Sequence, residues 1–210
     1  RPGYPVLDTA SPTPLPQTVD TEKYSRVSVG VYNICGITVS GKLECWGDNQ
    51  VGQVGDGTTT ERANPVQIDS ANTYSQVATG DLHSCAITTS GILKCWGYND
   101  YGRLGDGTTT ARSLPTVIDP GFSYDQVSVG IYHSCGITTL GVLKCWGYNA
   151  LGRLGDGSTT DRWSPVIIEW GTSFKAVSAA QNHTCAITTT GALKCWGYNE
   201  RGILGDGTTE

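Results

Sequence analysis

Residues 34–46 read ICGITVSGKLECW, and this stretch decides the fold. Two short runs rich in β-branched and apolar residues flank a Ser40-Gly41 pair, the composition of a β-hairpin with a tight turn. With the turn centred on residue 40, paired positions add to 80, so Cys35 stands opposite Cys45 and Ile37 opposite Leu43. Side chains alternate between faces along a strand, which puts all four on one face. The string returns as SCAITTSGILKCW at 84–96, SCGITTLGVLKCW at 134–146 and TCAITTTGALKCW at 184–196, every 50 residues without drift. Self-similarity at such a period marks a repeat architecture, whose units become stable by stacking on their neighbours.

Outward from the hairpin, a further strand is expected around Val27–Gly30 and a fourth near Pro65–Ile68. Gly47, Gly52, Gly55 and Gly57 punctuate the connection to the latter. Four short strands in such a unit match a propeller blade, and no stretch carries the 3.6-residue apolar period of a helix. The sequence therefore predicts an all-β chain of β-propeller blades, forming a partial or assembled propeller, with hairpin cores near 27–57, 77–107, 127–157 and 177–207. An open β solenoid of the same units is the alternative. Residues 1–15 are a Pro/Thr-rich lead, and 16–210 form the repeat domain.

The net charge is −5 and no Lys/Arg cluster stands in the chain, which argues against a nucleic-acid partner. No apolar run approaches the length of a membrane-spanning helix. The chain contains no Met, as expected of a chain processed or excised from a longer one.

The eight cysteines fall in four equivalent pairs: Cys35 with Cys45, Cys85 with Cys95, Cys135 with Cys145, and Cys185 with Cys195. Directly opposed residues of an antiparallel pair lie within disulfide range, so the register selects a bridge inside each repeat. Reduced core thiols are the alternative. A zinc site is disfavoured, because no C-x-x-C occurs and two thiols per repeat leave a four-ligand site incomplete. Four disulfides imply an oxidising compartment, extracellular or periplasmic.

His83, His133 and His183 share one repeat position, filled by Asn33 in the first unit. Equivalent points on packed sheets lie about 10 Å apart, too far for one ion, so a repeated structural hydrogen bond is expected and no metal. Asp56, Asp106, Asp156 and Asp206 sit in G-D-G-[TS]-T, which reads as turn chemistry because the D-x-D-x-D spacing of a calcium loop is missing. Trp46, Trp96, Trp146 and Trp196 read as packing residues. No nucleophile–base pair, phosphate loop or cofactor fingerprint appears, so neither an enzyme nor a cofactor is expected.

Positions that differ between repeats are better candidates for an asymmetric partner. They supply Tyr32, Tyr98, Tyr101, Tyr132, Tyr148 and Tyr198 in loops or at strand ends, and Tyr is a frequent interface residue. Trp163 and Trp170 break the repeat and are the residues to test for glycan stacking.

The strings C-W-G-Y-N-x-x-G-x-L-G-D-G-T-T and H-S-C-x-I-T resemble the regulator of chromosome condensation repeat family over nearly the whole chain from Pro16. The resemblance implies a propeller, typically of seven blades, and a bacterial-type secreted member. The family includes both a nuclear nucleotide exchange factor and a secreted inhibitor of β-lactamases. Four repeats and a Cys pair in each depart from its pattern. The expected function is thus a secreted, non-enzymatic protein-binding module, possible roles being inhibition or adhesion. The alternatives are a structural repeat assembling between chains into a ring or filament and, third, a glycan-binding propeller.

Pro16-Gln17-Thr18-Val19-Asp20 matches Pro65–Asp69, Pro115–Asp119 and Pro165–Glu169, which follow the G-D-G turn in the complete units. The chain stops before the fourth unit would supply that strand. Residues 16–19 are therefore expected to pair with the blade of Cys185 and Cys195, in the same or a neighbouring molecule. A longer repeat chain, strand donation between chains and a closed four-blade ring all accommodate this.

Overall fold

A computed structural model describes residues 18–209. Blade 1 comprises β1 (Tyr24–Val29), β2 (Asn33–Thr38), β3 (Leu43–Gly47) and β4 (Arg62–Ile68). Blade 2 comprises β5 (Tyr74–Thr79), β6 (His83–Thr88), β7 (Leu93–Gly97) and β8 (Arg112–Val117). Blade 3 comprises β9 (Tyr124–Val129), β10 (His133–Thr138), β11 (Leu143–Gly147) and β12 (Arg162–Ile167). Blade 4 has β13 (Phe174–Ala179), β14 (His183–Thr188) and β15 (Leu193–Gly197). Each sheet is an antiparallel meander in chain order. The only helical pieces among the described residues are two single 3₁₀ turns, Asp100–Gly102 and Glu200–Gly202.

The hairpin register is the one the turn predicts. Cys35 pairs with Cys45 and Ile37 with Leu43, and the same pairing recurs in every blade. All eight cysteines are bridged within their hairpins: Cys35 to Cys45 in blade 1, Cys85 to Cys95 in blade 2, Cys135 to Cys145 in blade 3 and Cys185 to Cys195 in blade 4. In blades 1 to 3 the bridges are fully buried, so Cys45, Cys95 and Cys145 belong to the core as well as closing the hairpin. Closing so short a loop is worth about 2–3 kcal/mol per bridge in the chain-entropy model. The flanking strands start three residues earlier than expected, at Tyr24 and Arg62. Pro65, Pro115 and Pro165 sit in β4, β8 and β12, the outer edge strands. An edge strand tolerates a residue with no N–H to donate, and proline there blocks further pairing.

A single-layer sheet has no interior of its own, so the core lies between blades. The first cluster joins Ile37, Leu43, Val54 and Ile68 of blade 1 to Tyr74, Val77 and Trp96 of blade 2. Clusters of the same composition fill the next two joints. Where both faces are covered, as in β6 and β10, every residue is buried. In β14 buried and half-buried residues alternate, because only one face meets a neighbour. Leu43, Leu93 and Leu143 are 0% exposed, whereas Leu193 at the same repeat position is 67% exposed.

The inner strands β1, β5, β9 and β13 neighbour one another around a common axis. The loops joining first to second and third to fourth strands emerge at one end of every blade, here the upper face. The hairpin turns and the connections between blades form the lower face.

The Pro/Thr-rich lead lies outside the described residues, as do Pro16 and Gln17. Thr18 and Val19 form no strand and lie beside Tyr24 and Trp46 of blade 1, so they do not complete blade 4 within the chain. Asp20 holds the place that Asp69 holds one repeat later, because each accepts a hydrogen bond from the tyrosine that opens the next blade, Tyr24 or Tyr74. That contact ties the segment to the blade it enters.

Candidate functional site

The upper face is built on the G-D-G-[TS]-T loops, and their polar groups are consumed internally. In blade 2, the Asn99 side-chain amide donates to Asp106 Oδ1 and to the carbonyls of Thr108 and Thr110, at 2.9–3.1 Å. Asn99 Oδ1 accepts from the Leu104 amide. Asp106 also accepts from the Thr108 amide and hydroxyl, and from Arg112 Nε at 2.7 Å. Burial pushes the Asp106 carboxyl up, but the hydrogen bonds from Thr108 and Arg112 outweigh it and the pKa ends below its ordinary value. Asp56 and Asp156 are held the same way by Arg62 and Arg162.

Two sets of hydrogen bonds fasten one loop layer to the next. His83 Nε2 bonds the Ser134 hydroxyl at 2.8 Å and His133 Nε2 bonds the Thr184 hydroxyl at 2.7 Å, while Asn33 donates to Ser84 Oγ at 3.1 Å. Burial is the main reason both imidazoles titrate low, His133 at about 3. The repeated histidine is thus a joint between blades. The second set runs from Trp96 Nε1 to the Gln53 carbonyl and from Trp196 Nε1 to the Arg153 carbonyl, at 2.9 and 3.0 Å. A glycine of the preceding blade lies close against each indole, Gly55 at Trp96 and Gly155 at Trp196. At Gly105, with φ +83°, a Cβ would stand 2.7 Å from the Trp146 ring. Only glycine permits that approach.

The six tyrosines singled out from the sequence all lie on this face. Four of them come together, and they do so through two arginines. The Arg103 guanidinium lies 4.8 Å from the centre of the Tyr98 ring and 5.5 Å from that of Tyr132. Arg153 lies 5.6 Å from Tyr132 and 4.6 Å from Tyr148. Tyr101 continues the stack, its ring centre 4.5 Å from that of Tyr148. The result is an alternating aromatic–guanidinium ladder across blades 2 and 3. Both arginines are buried, at 2% and 1% exposure. Burial pushes the Arg103 guanidinium below its ordinary value, and Tyr98, Asp100, Tyr132 and Asp81 act in the opposite direction. Arg103 donates to the Asp100 and Ile131 carbonyls, and Arg153 to the Gln181 carbonyl and Asn182 Oδ1. Each guanidinium therefore clamps its loop to the next blade while stiffening the rings stacked on it.

Tyr101 is 44% exposed and adopts φ 63°. Left-handed backbone costs an ordinary residue about 1–2 kcal/mol, so the fold holds this ring outward against a local preference. Tyr32 and Tyr198 stand apart, on blades 1 and 4, at 50% and 37% exposure. Tyr198 is tied through its hydroxyl to Glu200. Trp163 and Trp170, the glycan candidates, lie beyond opposite ends of the central part of β12, one upper and one lower, and so share no platform.

Sequence reading missed Arg103 and Arg153. They occupy the variable position of G-x-L-G, where the repeats carry Gln53, Arg103, Arg153 and Ile203. That variation is the available signal. It is easily overlooked, because an arginine in a glycine-rich loop reads as a solvated side chain.

The blades, their joints and the loop layer define a repeat protein of propeller type. Models of the regulator of chromosome condensation (RCC1) repeat match residues 24–53, 74–103, 124–153 and 174–203, and a second model of the same repeat matches 40–87, 90–137 and 141–187. The chain belongs to the regulator of chromosome condensation repeat family. Among curated proteins no sequence matches. Human WBSCR16 is similar in structure at 24% identity with a TM-score of 0.80, over 91% of this chain and 52% of that one. Yeast RCC1 (Prp20), in its structure bound to Kap60, is similar at 19% identity with a TM-score of 0.79, over 92% and 48%. The receptor kinase CR4 ectodomain of Physcomitrella patens is similar at 23% identity with a TM-score of 0.58, over 90% and 43%. The chain spans about half the length of these structures, and the likeness is one of fold.

Proposed function

We propose that this chain is a non-enzymatic protein-binding segment of a secreted propeller, and that the upper face of blades 2 and 3 is its binding surface. The ladder of Tyr98, Arg103, Tyr132, Arg153, Tyr148 and Tyr101 carries the reading. Tyrosine combines a large apolar face with a hydroxyl, and rings already held in place lose little freedom on binding. Support for a non-catalytic role comes from the polar groups themselves, since the imidazoles of His83 and His133 and the loop carboxylates are engaged in holding the fold. Support for an oxidising location comes from the four bridged hairpins. Yeast RCC1 (Prp20) is seen bound to Kap60, and the structure of Prp20p comes with its binding properties to Gsp1p and histones, so the fold hosts protein partners elsewhere.

The test is affinity capture of secreted and surface proteins, followed by affinity measurement on each purified candidate. Tyr101→Ala/Tyr132→Ala/Tyr148→Ala is expected to weaken the native partner at least about tenfold with little change in melting, an effect of interface hot-spot size. An affinity unchanged within error rejects this face.

A second reading, end-to-end assembly of chains, draws on the outer edge of β15, which has no strand paired to it among the described residues. The joint chemistry opposes it. His183 would need a hydroxyl in the next blade, and the corresponding residue of blade 1 is Ile34. Sedimentation velocity distinguishes the two readings, the binding segment remaining a monomer at micromolar concentration.

A further inference from the structure

The charges of this chain are divided between its two faces. Every lysine, namely Lys23, Lys42, Lys94, Lys144, Lys175 and Lys194, lies in the lower half, next to a hairpin turn or a connection between blades. Lys94, Lys144 and Lys194 are there neutralised by Asp69, Asp119 and Glu169. The upper face holds arginines only. Three of these are paired with the loop aspartates, and Arg103 and Arg153 are buried in the ladder. Asp48, Glu61, Asp81, Asp100, Asp161 and Glu200 make no close ion pair among the described residues, and they stand on or around the upper face. The exposed base there is Arg201. Among the described residues the upper face thus has more acids than bases, while acids and bases balance in the lower half.

One of these acids occupies a distinctive place. The ends of the inner strands line an open axial mouth of about 300 Å³, walled by Val29, Val31, Val129 and Ile131, by glycine and alanine backbone, and by Thr79 and Gln181. Asp81 is the charged side chain of that mouth. Its Oδ1 is buried and receives no hydrogen bond from the protein. Arg103 is close enough to lower the carboxyl, though burial dominates and leaves its pKa raised. The mouth is continuous with the ladder, because Arg103 donates to the carbonyl of Ile131 in its wall.

An apolar collar ending in an acceptor that lacks a donor suits a side chain with an aliphatic stem and a cationic head. Electron-rich ring faces with acids at their rim suit the same chemistry. We propose that the upper face takes a cationic polypeptide segment, one Lys or Arg side chain entering the axial mouth toward Asp81 while another lies against the exposed ring of Tyr101. This rests on the reading of the upper face as the binding surface, and adds the chemistry of what it binds.

The experiment uses the 210-residue chain and fluorescein-labelled Arg/Gly, Ser/Gly and Glu/Gly peptides of equal length, followed by fluorescence anisotropy. The Arg/Gly peptide is expected to bind, with affinity falling as salt rises from about 20 to 200 mM, and the Ser/Gly and Glu/Gly peptides to bind at least about tenfold more weakly. Asp81→Asn/Asp100→Asn should cost at least about tenfold. Asp125→Asn, an exposed acid of the lower half, should change affinity less than about twofold, which separates a site from diffuse attraction to a negative chain. Equal binding of the Ser/Gly peptide, no binding of the Arg/Gly peptide, or indifference to Asp81→Asn/Asp100→Asn overturns the proposal. If the native partner still loses affinity on Tyr101→Ala/Tyr132→Ala/Tyr148→Ala in any of those cases, the upper face stands as the binding surface and only its cationic preference falls.

Discussion

The buried histidines make stability sensitive to mild acid, and the first blade supplies the substitution that removes the sensitivity. His133 is 0% exposed and its pKa falls to about 3, burial being the main cause. In the unfolded chain an imidazole titrates near 6.5. At pH 5 the unfolded chain therefore binds a proton at this residue that the folded chain does not. A folded-state pKa below the unfolded one means stability that is complete above about 6.5 and is lost as pH falls toward the folded value. Between pH 8 and pH 5 the loss is about 2 kcal/mol for His133 alone. His83, likewise 0% exposed and also lowered well below its ordinary value, adds a loss of the same sign. The carboxylates lowered by their loop partners, such as Asp106 and Asp156, lose their contribution in a more acidic window, below about 4. Asn33 fills the same repeat position and donates to Ser84, so His83→Asn/His133→Asn retains a donor to Ser134 and Thr184 and carries no titration. Urea unfolding followed by tryptophan fluorescence at pH 8, 7, 6 and 5 should show a steep decline in the wild type and a much flatter profile in the double variant. Equal declines in both proteins would refute the assignment of acid sensitivity to the joint histidines.

Leu143→Ala and Leu193→Ala change one repeat position in two surroundings. The first removes a fully buried side chain and should cost about 3 kcal/mol; the second removes one that is 67% exposed and should cost less than about 1 kcal/mol. Unfolding free energies within about 0.5 kcal/mol of each other would contradict the placement of the core between blades. Tyr24 donates one proton toward two carboxylates, Glu44 at 2.5 Å and Asp20 at 2.8 Å, where the other blades set a lysine against the acid. Glu44→Lys restores that ion pair and should stabilise by about 0.5–1 kcal/mol, read as a rise in the urea midpoint, whereas a fall would show that the carboxylate pair is itself favourable.

How far the fold is legible in the sequence depends on the range of the interaction that decides each feature. The hairpin register is local, since Ser40-Gly41 fixes the turn and the pairing of Cys35 with Cys45 follows from counting. The repeat then carries it to Cys95 and Cys145 and on to the last blade. The starts of β1 and β4 fall three residues ahead of the sequence expectation because they depend on contacts outside the hairpin. Arg62 is held by Asp56 across the loop, and a bulge between Tyr24 and Arg26 lets the first strand run on. The tyrosines are recognisable as positions that vary between otherwise identical units. Their convergence is not, because Arg103 and Arg153 lie between rings of different blades, and nothing local to G-x-L-G says that the guanidinium turns inward. The place of Val19 beside blade 1 is hidden for the same reason. The repeat shows which strand the segment resembles, while Asp20 and Tyr24 decide which blade holds it.

The joint hydrogen bonds impose a grammar on the order of the repeats. Blades 2 and 3 each carry both halves of the joint, a hydroxyl that receives from the blade before and an imidazole that reaches the blade after, as Ser134 and His133 do in blade 3. A unit of that kind is interchangeable with its like, so duplicating or deleting residues 124–173 in frame would leave every junction matched. The unit with Ile34 in place of the hydroxyl offers no partner to an imidazole before it, so it is not interchangeable with the others. Unequal recombination would then lengthen or shorten the array through units of the interchangeable kind and leave the odd unit in single copy.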